Sequence, residues 1–454
     1  YLQNMAPKPK LNLFDFTMIM VSFVIGMGIF RTPVNVAAAS PTPFVFFAAW
    51  AAGGLIALCG ALTYAEIGSR YPVTGGYYKI FSYAYHPSIA FAVNCIILIS
   101  NAASLAGVAL IGAEYIIKVL LPDSQQAQSI QVAIAISSIL LFYGVNLLGL
   151  KMSARTQNVL TIIKIGMILL LITPLFFAGA DSGTQLLAPV TVNPTLLEYI
   201  KAFGIGLVAV SFTYGGYQQS INFGEEVENP ARNIPRGIFI GICIILVLYL
   251  SINYAYYRII GFDNLKTATG IASLMASHVF GSAAGNILSV FLFLSVLAYV
   301  NVLLMSNPRV MQAMSEEKVL PETFGKRTIK TNVLLTSLSV FAAMCALIVF
   351  WAKTFDEILS FTIFLDCFGM VLSAATIFIL RKRRVGAENK SIYAMRLYPL
   401  MPIIFIAAYT FVACSIFIDK PLTGVTGLAI LAAFIALFFV VKKMKNNSLK
   451  STST

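Results

Sequence analysis

Charge is what this sequence has least of. Of 454 residues only 11% are Asp, Glu, Lys or Arg, against 59% hydrophobic, and mean hydropathy is +0.85. A water-soluble domain cannot bury that much apolar surface, so lipid must be the solvent around most of the chain. Histidine is nearly missing: His86 and His278 are the only two, and they fall near opposite ends of apolar runs. No convergent set of bases or metal ligands is left for an enzyme, and no cofactor is called for. Cys59, Cys95, Cys243, Cys345, Cys367 and Cys414 stand singly inside apolar runs without a CxxC pair, which argues against a disulfide framework or a metal site. Acids are outnumbered by bases, 18 to 31. The bases sit in short loops rather than on one water-exposed face, so nucleic acid is not the expected partner.

What the sequence has is apolar runs. Crossing a hydrocarbon core takes about 20 residues of helix, which also satisfies every backbone polar group where water is missing. Twelve runs meet that length: 14–39, 43–70, 83–120, 128–150, 157–178, 197–223, 233–257, 285–314, 332–351, 356–381, 398–418 and 424–443. The first lacks the short apolar core and cleavage pattern of a removable signal and is read as a retained helix. The fold class expected is therefore an all-α polytopic membrane protein with no separate soluble domain. If the N-terminus is cytoplasmic, only Lys118, Arg258, Lys266, Lys353 and Lys420 fall outside and Arg31, Lys164 and Lys201 within spans; the rest of the 31 bases are inside. That asymmetry places both termini, 1–13 and 444–454, in the cytoplasm of a cell-membrane protein.

Two spans are interrupted. Gly26 and Gly28 lie midway through the first, and the sixth repeats the feature at Phe212-Thr-Tyr-Gly-Gly-Tyr-Gln218. Paired glycines weaken a helix where unwinding is costly unless the freed backbone groups have a use. Half-helix ends offer N–H groups to anions and C=O groups to cations, and an amino acid carries one charge of each sign. Small residues that only let helices pack closely are the competing reading; two breaks five spans apart favour the site.

At this point the sequence resembles the amino acid-polyamine-organocation (APC) superfamily, and within it the L-type amino acid transporter branch. The residues are Gly26-Met-Gly-Ile-Phe30, Tyr64-Ala-Glu-Ile-Gly68 with Pro72-Val-Thr-Gly-Gly-Tyr77, Phe212-Thr-Tyr-Gly-Gly-Tyr217 running into Glu225 to Gly237, and Ser306-Asn-Pro-Arg-Val310. Met27 departs from the family's Ser, and Asn307 and Pro308 stand where small residues are more common. The resemblance implies a LeuT-like five-plus-five inverted repeat, 14–178 and 197–381, with 398–443 outside it and helices 1 and 6 broken. It implies sodium-independent transport of L-amino acids, neutral ones above all, by alternating access and exchange. A proton-coupled symporter is the alternative, and a channel or receptor is the different-class one. The substrate carboxylate would meet the amides of Met27 and Gly28, beside Gly26. The ammonium would meet the carbonyls of Val24, Phe212 and Gly215, with Thr213 adjoining and Phe212 as gate. Some animal relatives use a partner glycoprotein bridged through an external cysteine; no outer loop here has one, so no obligatory protein partner is expected beyond membrane lipid.

Intramembrane polar residues complete the candidate site. Lys164 looks like the lysine that stands where sodium-coupled relatives bind the ion, bridging to the unwound first helix; the competing reading is a snorkelling lysine. Gln218 and Asn301 are placed near the pocket by resemblance, with helix-to-helix hydrogen bonding as the alternative. Asp366, near the middle of span ten, has three roles open: proton carrier, contact for a polar or basic substrate group, or structural acid. Glu66 reads as structural, with Arg70 four residues on, and Glu114 with Lys118 repeats the spacing. In the loop 225–236 Asn233 is read as a helix cap with Pro235 in the first turn, and the loop's acids as pairing across the cytoplasmic gate.

Overall fold

The computed structural model describes residues 11–121, 127–177, 195–268, 270–351, 355–389 and 391–451. Their helices are α1 (Leu13–Val24), α2 (Thr32–Ala39), α3 (Pro43–Arg70), α4 (Gly76–Ala84), α5 (Pro87–Leu120), α6 (Ala127–Leu147), α7 (Leu150–Ile172), α8 (Pro174–Phe177), α9 (Leu196–Tyr214), α10 (Pro230–Ile260), α11 (Phe262–Thr267), α12 (Ile271–Phe280), α13 (Ser282–Glu316), α14 (Leu335–Trp351), α15 (Phe355–Lys382), α16 (Leu400–Asp419) and α17 (Pro421–Ser451). No β-strand longer than an isolated bridge occurs among the described residues. Nine helices there are long and apolar enough to cross a membrane. Three shorter apolar ones, Leu13–Val24, Leu335–Phe350 and Gly424–Val440, overlap the predicted first, ninth and twelfth spans. Lys8, Lys10, Lys353 and Lys390, which entered the charge count, lie outside the described residues, as do the side chains of Lys118, Lys445, Lys450 and His278.

Local chemistry sets the helix starts. Asn12 caps α1 by accepting from the Asp15 amide at 2.8 Å, and Asp15 reaches back to the Asn12 amide. Thr195 and Glu198 form the same reciprocal box at α9. Three predicted span starts move. Span three begins at Pro87 rather than 83, because the His86 ring caps a new helix after α4. Span five begins at Leu150 rather than 157, directly after Gly149 turns at φ +97°. Span seven begins at Pro230, whose fixed φ suits the first helical position, with Asn229 and not Asn233 in the cap position. The Asn233 side-chain amide instead donates to the Glu228 carbonyl. Pro235 lies inside the helix.

Packing places α1 at the centre, against α7 and α10, while α13 runs along α5 and α7 and α3 along α9 and α10. The two helices at the end of the chain are peripheral. α16 covers α3 and α15, and α17 covers α5 and α15.

Candidate functional site

The first break is short and tight. α1 stops at Val24, the Gly26 amide turns back to the Val24 carbonyl at 2.8 Å, and a 3-10 turn over Gly28–Phe30 leads into α2. Neither the Met27 nor the Gly28 amide has a backbone acceptor among the described hydrogen bonds. These two N–H groups open a half-helix, where positive partial charge collects. The second break mirrors it: α9 stops at Tyr214, the Gly215 amide closes on the Phe212 carbonyl at 3.2 Å, and a 3-10 turn follows over Tyr217–Asn222.

The breaks touch one another, and glycine makes that possible at two positions. A Cβ on Gly216, which stands at φ +113°, would lie 2.4 Å from the Phe23 carbonyl oxygen. One on Gly28 would lie 3.0 Å from the Thr213 hydroxyl. Gly26 is different, with its nearest neighbour, the Tyr299 ring, at 3.9 Å.

Both breaks face a cavity of about 790 Å³. Val24, Gly26, Met27, Gly28, Phe212, Thr213, Gly215, Gln218 and Asp366 all line it. From the breaks the lining continues past Ser104 and Tyr299 to Glu114, Gly270 and Asn286, toward the end of the bundle where α5 finishes and α12 lies. The Gln218 side chain turns onto the Gly216 amide at 2.9 Å, bracing the sixth-helix bend.

Comparison with known proteins settles what such a cavity belongs to. The profile of the amino acid permeases matches residues 11–449. The chain belongs to the amino acid permease family. This permease is 29% identical to the serine/threonine exchanger of Bacillus subtilis over 442 residues, 96% of this chain and 98% of that one. It is 23% identical to the mouse Asc-type amino acid transporter 1, covering 96% and 82%. To the human cystine/glutamate transporter it is 27% identical, covering 82% and 74%. These relatives are transporters, and they place the chain in the L-type branch of the APC superfamily, among multi-pass membrane transporters.

Two predicted residues of the permease do not reach the cavity. Asn301 is fully buried and accepts from Asn146 at 2.9 Å while donating to Gln157 at 2.8 Å and toward the Ser153 carbonyl at 3.3 Å. It is a helix-joining residue that supports the site from behind, not a lining one. Gln157 donates in turn to the Ser22 hydroxyl at 2.6 Å. Lys164, also fully buried, donates to that hydroxyl at 3.3 Å and to the Ile25 carbonyl. The lysine therefore ends on the unwound backbone and does not snorkel.

Sequence reasoning missed Tyr249. From α10 its buried hydroxyl points at the Val24 carbonyl, 3.0 Å, and the Thr213 carbonyl, 3.4 Å, so one phenol ties the ends of both interrupted helices. Within an apolar run it reads as ordinary core, and its ring does pack on Trp50 and Tyr214. Tyr249→Phe keeps that packing and removes the tie. A neutral hydrogen bond contributes about 1 kcal/mol net, so initial uptake should fall about fivefold with little loss of thermal stability. Unchanged uptake would reduce Tyr249 to packing.

The opposite end of the bundle is closed by ion pairs. Glu226, nearly buried, pairs with Arg309 at 2.5 Å and Arg327 at 3.3 Å, joining the sixth-helix exit to α13. Glu225 accepts from Thr74 at 2.9 Å. Lys79 pairs with Glu316 at 3.1 Å and Glu317 at 3.7 Å. Glu66, expected to answer only Arg70, also takes Arg381 at 2.7 Å and the Met395 amide at 2.9 Å. Leu11 exchanges backbone hydrogen bonds with Glu226 and Glu228 across the same closure.

Proposed function

We propose that this permease exchanges L-amino acids, principally neutral ones, across the cell membrane by alternating access, without sodium and without an obligatory partner protein. The observation that carries the reading is the pair of facing helix breaks opening into one cavity. Unbonded amides at Met27 and Gly28 suit a carboxylate, and the carbonyl ends at Phe212 and Gly215 suit an ammonium, whereas the expected Val24 carbonyl already takes the Gly26 amide and the Tyr249 hydroxyl on its two lone pairs. Phe212 at the sixth-helix bend serves as the lid. Sodium independence is supported by Lys164, whose ammonium already occupies the backbone of the first break. With both termini cytoplasmic, as the loop charges favour, the ion-paired end is the inner gate and the cavity faces outward. The relatives named as exchangers support exchange over net uptake.

A proton-coupled symporter is the second reading, favoured by the carboxyl of Asp366 on the cavity wall. One experiment separates them: initial uptake into proteoliposomes with and without internal amino acid, with sodium replaced by choline, and with an inward pH step. Exchange predicts a rise of roughly tenfold or more from internal amino acid, as when a slow empty return step is bypassed, and no response to choline or pH. Accumulation driven by the pH step into empty vesicles would select the symporter. Dependence on sodium would remove both.

A further inference from the structure

Three helices meet at one corner of the bundle, beside the ionic closure. α15 ends at Lys382, just past the Arg381 that holds Glu66, and α17 packs on both α15 and α5. At the start of α5 the exposed His86 ring lies 6.3 Å from the Phe438 ring and 6.1 Å from the Phe439 ring of α17. Residues four apart share a helix face, so Lys442 and Lys443 continue the faces of Phe438 and Phe439 one turn on. From the other side Arg383 donates to the Tyr83 carbonyl at 3.0 Å and lies 5.0 Å over the Tyr83 ring, three residues before His86. Lys382, Arg383, Arg384, Lys442 and Lys443 are all exposed, and none has an ion-pair partner among the described residues. Acids that could answer them are few. Residues 420–454 contain none, and Glu316 and Glu317 are taken by Lys79 of α4. Glu388 follows Arg384 in a turn that packs on α3, where a Cβ on Gly386 would lie 2.8 Å from the Arg70 carbonyl oxygen.

A cluster of bases where membrane helices end has one abundant neighbour of opposite charge, the headgroups of the leaflet it emerges into. Arg383 gives one of its five donors to Tyr83 and keeps the others for a phosphate, which a guanidinium fork fits well. The Nδ1 of His86 accepts from the Ser88 amide at 3.2 Å, so the neutral ring carries its proton on Nε2 as a further donor. The half-exposed Phe439 ring adds apolar surface for the upper part of an acyl chain. We propose that this corner binds the phosphate headgroup of an anionic phospholipid, bridging Arg383 on the α15 side, His86 at the start of α5, and Lys442 and Lys443 on α17. A zwitterionic headgroup brings its own ammonium toward the same five cations, so the site favours a lipid of net negative charge. Such a lipid would clamp together three helices that meet here through apolar and aromatic packing, and would hold the end of α15, with Arg381, against Glu66. The inference is independent of which amino acid the permease carries.

Thermal unfolding of the purified permease in a neutral detergent tests it, with short-chain phosphatidylglycerol titrated against phosphatidylcholine of the same chains. Phosphatidylglycerol should raise the unfolding midpoint at concentrations where phosphatidylcholine leaves it in place. A base near the headgroups contributes about fivefold in affinity, so Arg383→Gln combined with Lys442→Gln and Lys443→Gln should need roughly a hundredfold more phosphatidylglycerol for the same rise. Lys151→Gln with Arg155→Gln removes two exposed bases at the start of α7 instead, and should leave the titration unchanged. Equal stabilisation by phosphatidylcholine, or a triple variant that titrates like wild type, overturns the proposal. So does an equal loss in the α7 variant, which would mean that charge attracts the lipid without a site. Soluble glycerol phosphate matching phosphatidylglycerol would make this a phosphate site and remove the lipid. If the triple variant does not fold, Lys442→Gln with Lys443→Gln decides, with an expected loss of roughly 25-fold.

Discussion

Gly216→Ala should abolish transport. Gly216 stands at φ +113° with the Phe23 carbonyl oxygen 2.4 Å from the position of a Cβ. A left-handed backbone costs an L-residue about 1–2 kcal/mol. The oxygen contact is closer than a methyl can tolerate and involves backbone on both sides, so no rotamer relieves it. The sixth-helix break must then move off the first, and a misplacement of about 1 Å near a reacting or binding centre is enough for a hundredfold loss. Initial uptake should fall by at least that factor, with a lower midpoint of thermal unfolding. Gly26→Ala is the control: its Cβ would meet the Tyr299 ring at 3.9 Å, an ordinary contact, and uptake should stay near wild type. Uptake of the Gly216 variant within twofold of wild type would show that the breaks need not touch.

Lys164→Met should disable the permease without unfolding it. The ammonium donates to the Ile25 carbonyl and the Ser22 hydroxyl. No carboxylate stands within ion-pair distance of it among the described residues. Hydrogen bonds to a charged group contribute about 1.5–3 kcal/mol, or roughly 10- to 100-fold in rate if they hold the break in its working shape. A buried cation with no counter-ion is itself expensive, and methionine of similar length fills its space. Uptake should therefore drop 10- to 100-fold by these magnitudes, while the unfolding midpoint holds or rises. A variant that loses midpoint and uptake together would make Lys164 a structural residue first.

These two tests concern features of unequal legibility. The breaks were readable because glycine pairs are local: Gly26 and Gly28, or Gly215 and Gly216, announce a weak helix wherever they stand in a span. Lys164 was readable because a charge deep in an apolar run has few uses. Tyr249 was not, because a tyrosine among isoleucines and leucines satisfies a core reading, and its partners, Val24 and Thr213, lie far off in sequence. Asn301 was placed one layer too near the substrate, since only the fold brings Asn146, Gln157 and Ser153 around it. Glu66 was given its neighbour in sequence and not Arg381, 315 residues on. Helix starts shifted where a proline or a glycine turn overrode the apolar pattern, as at Pro87, Leu150 and Pro230.

The ionic closure opposite the cavity has a consequence for how hungry the carrier looks from its two sides. Glu226 with Arg309 and Arg327, and Glu66 with Arg381, tie different elements together at that end and so favour the posture in which it is closed. Apparent affinity is intrinsic affinity scaled by the fraction of molecules already in the receptive posture. A carrier that waits with one mouth open scavenges scarce solute on that side and releases it into abundance on the other, with no difference between the two half-sites themselves. Weakening a single arginine of that closure would flatten the asymmetry and leave the intrinsic fit of the cargo untouched.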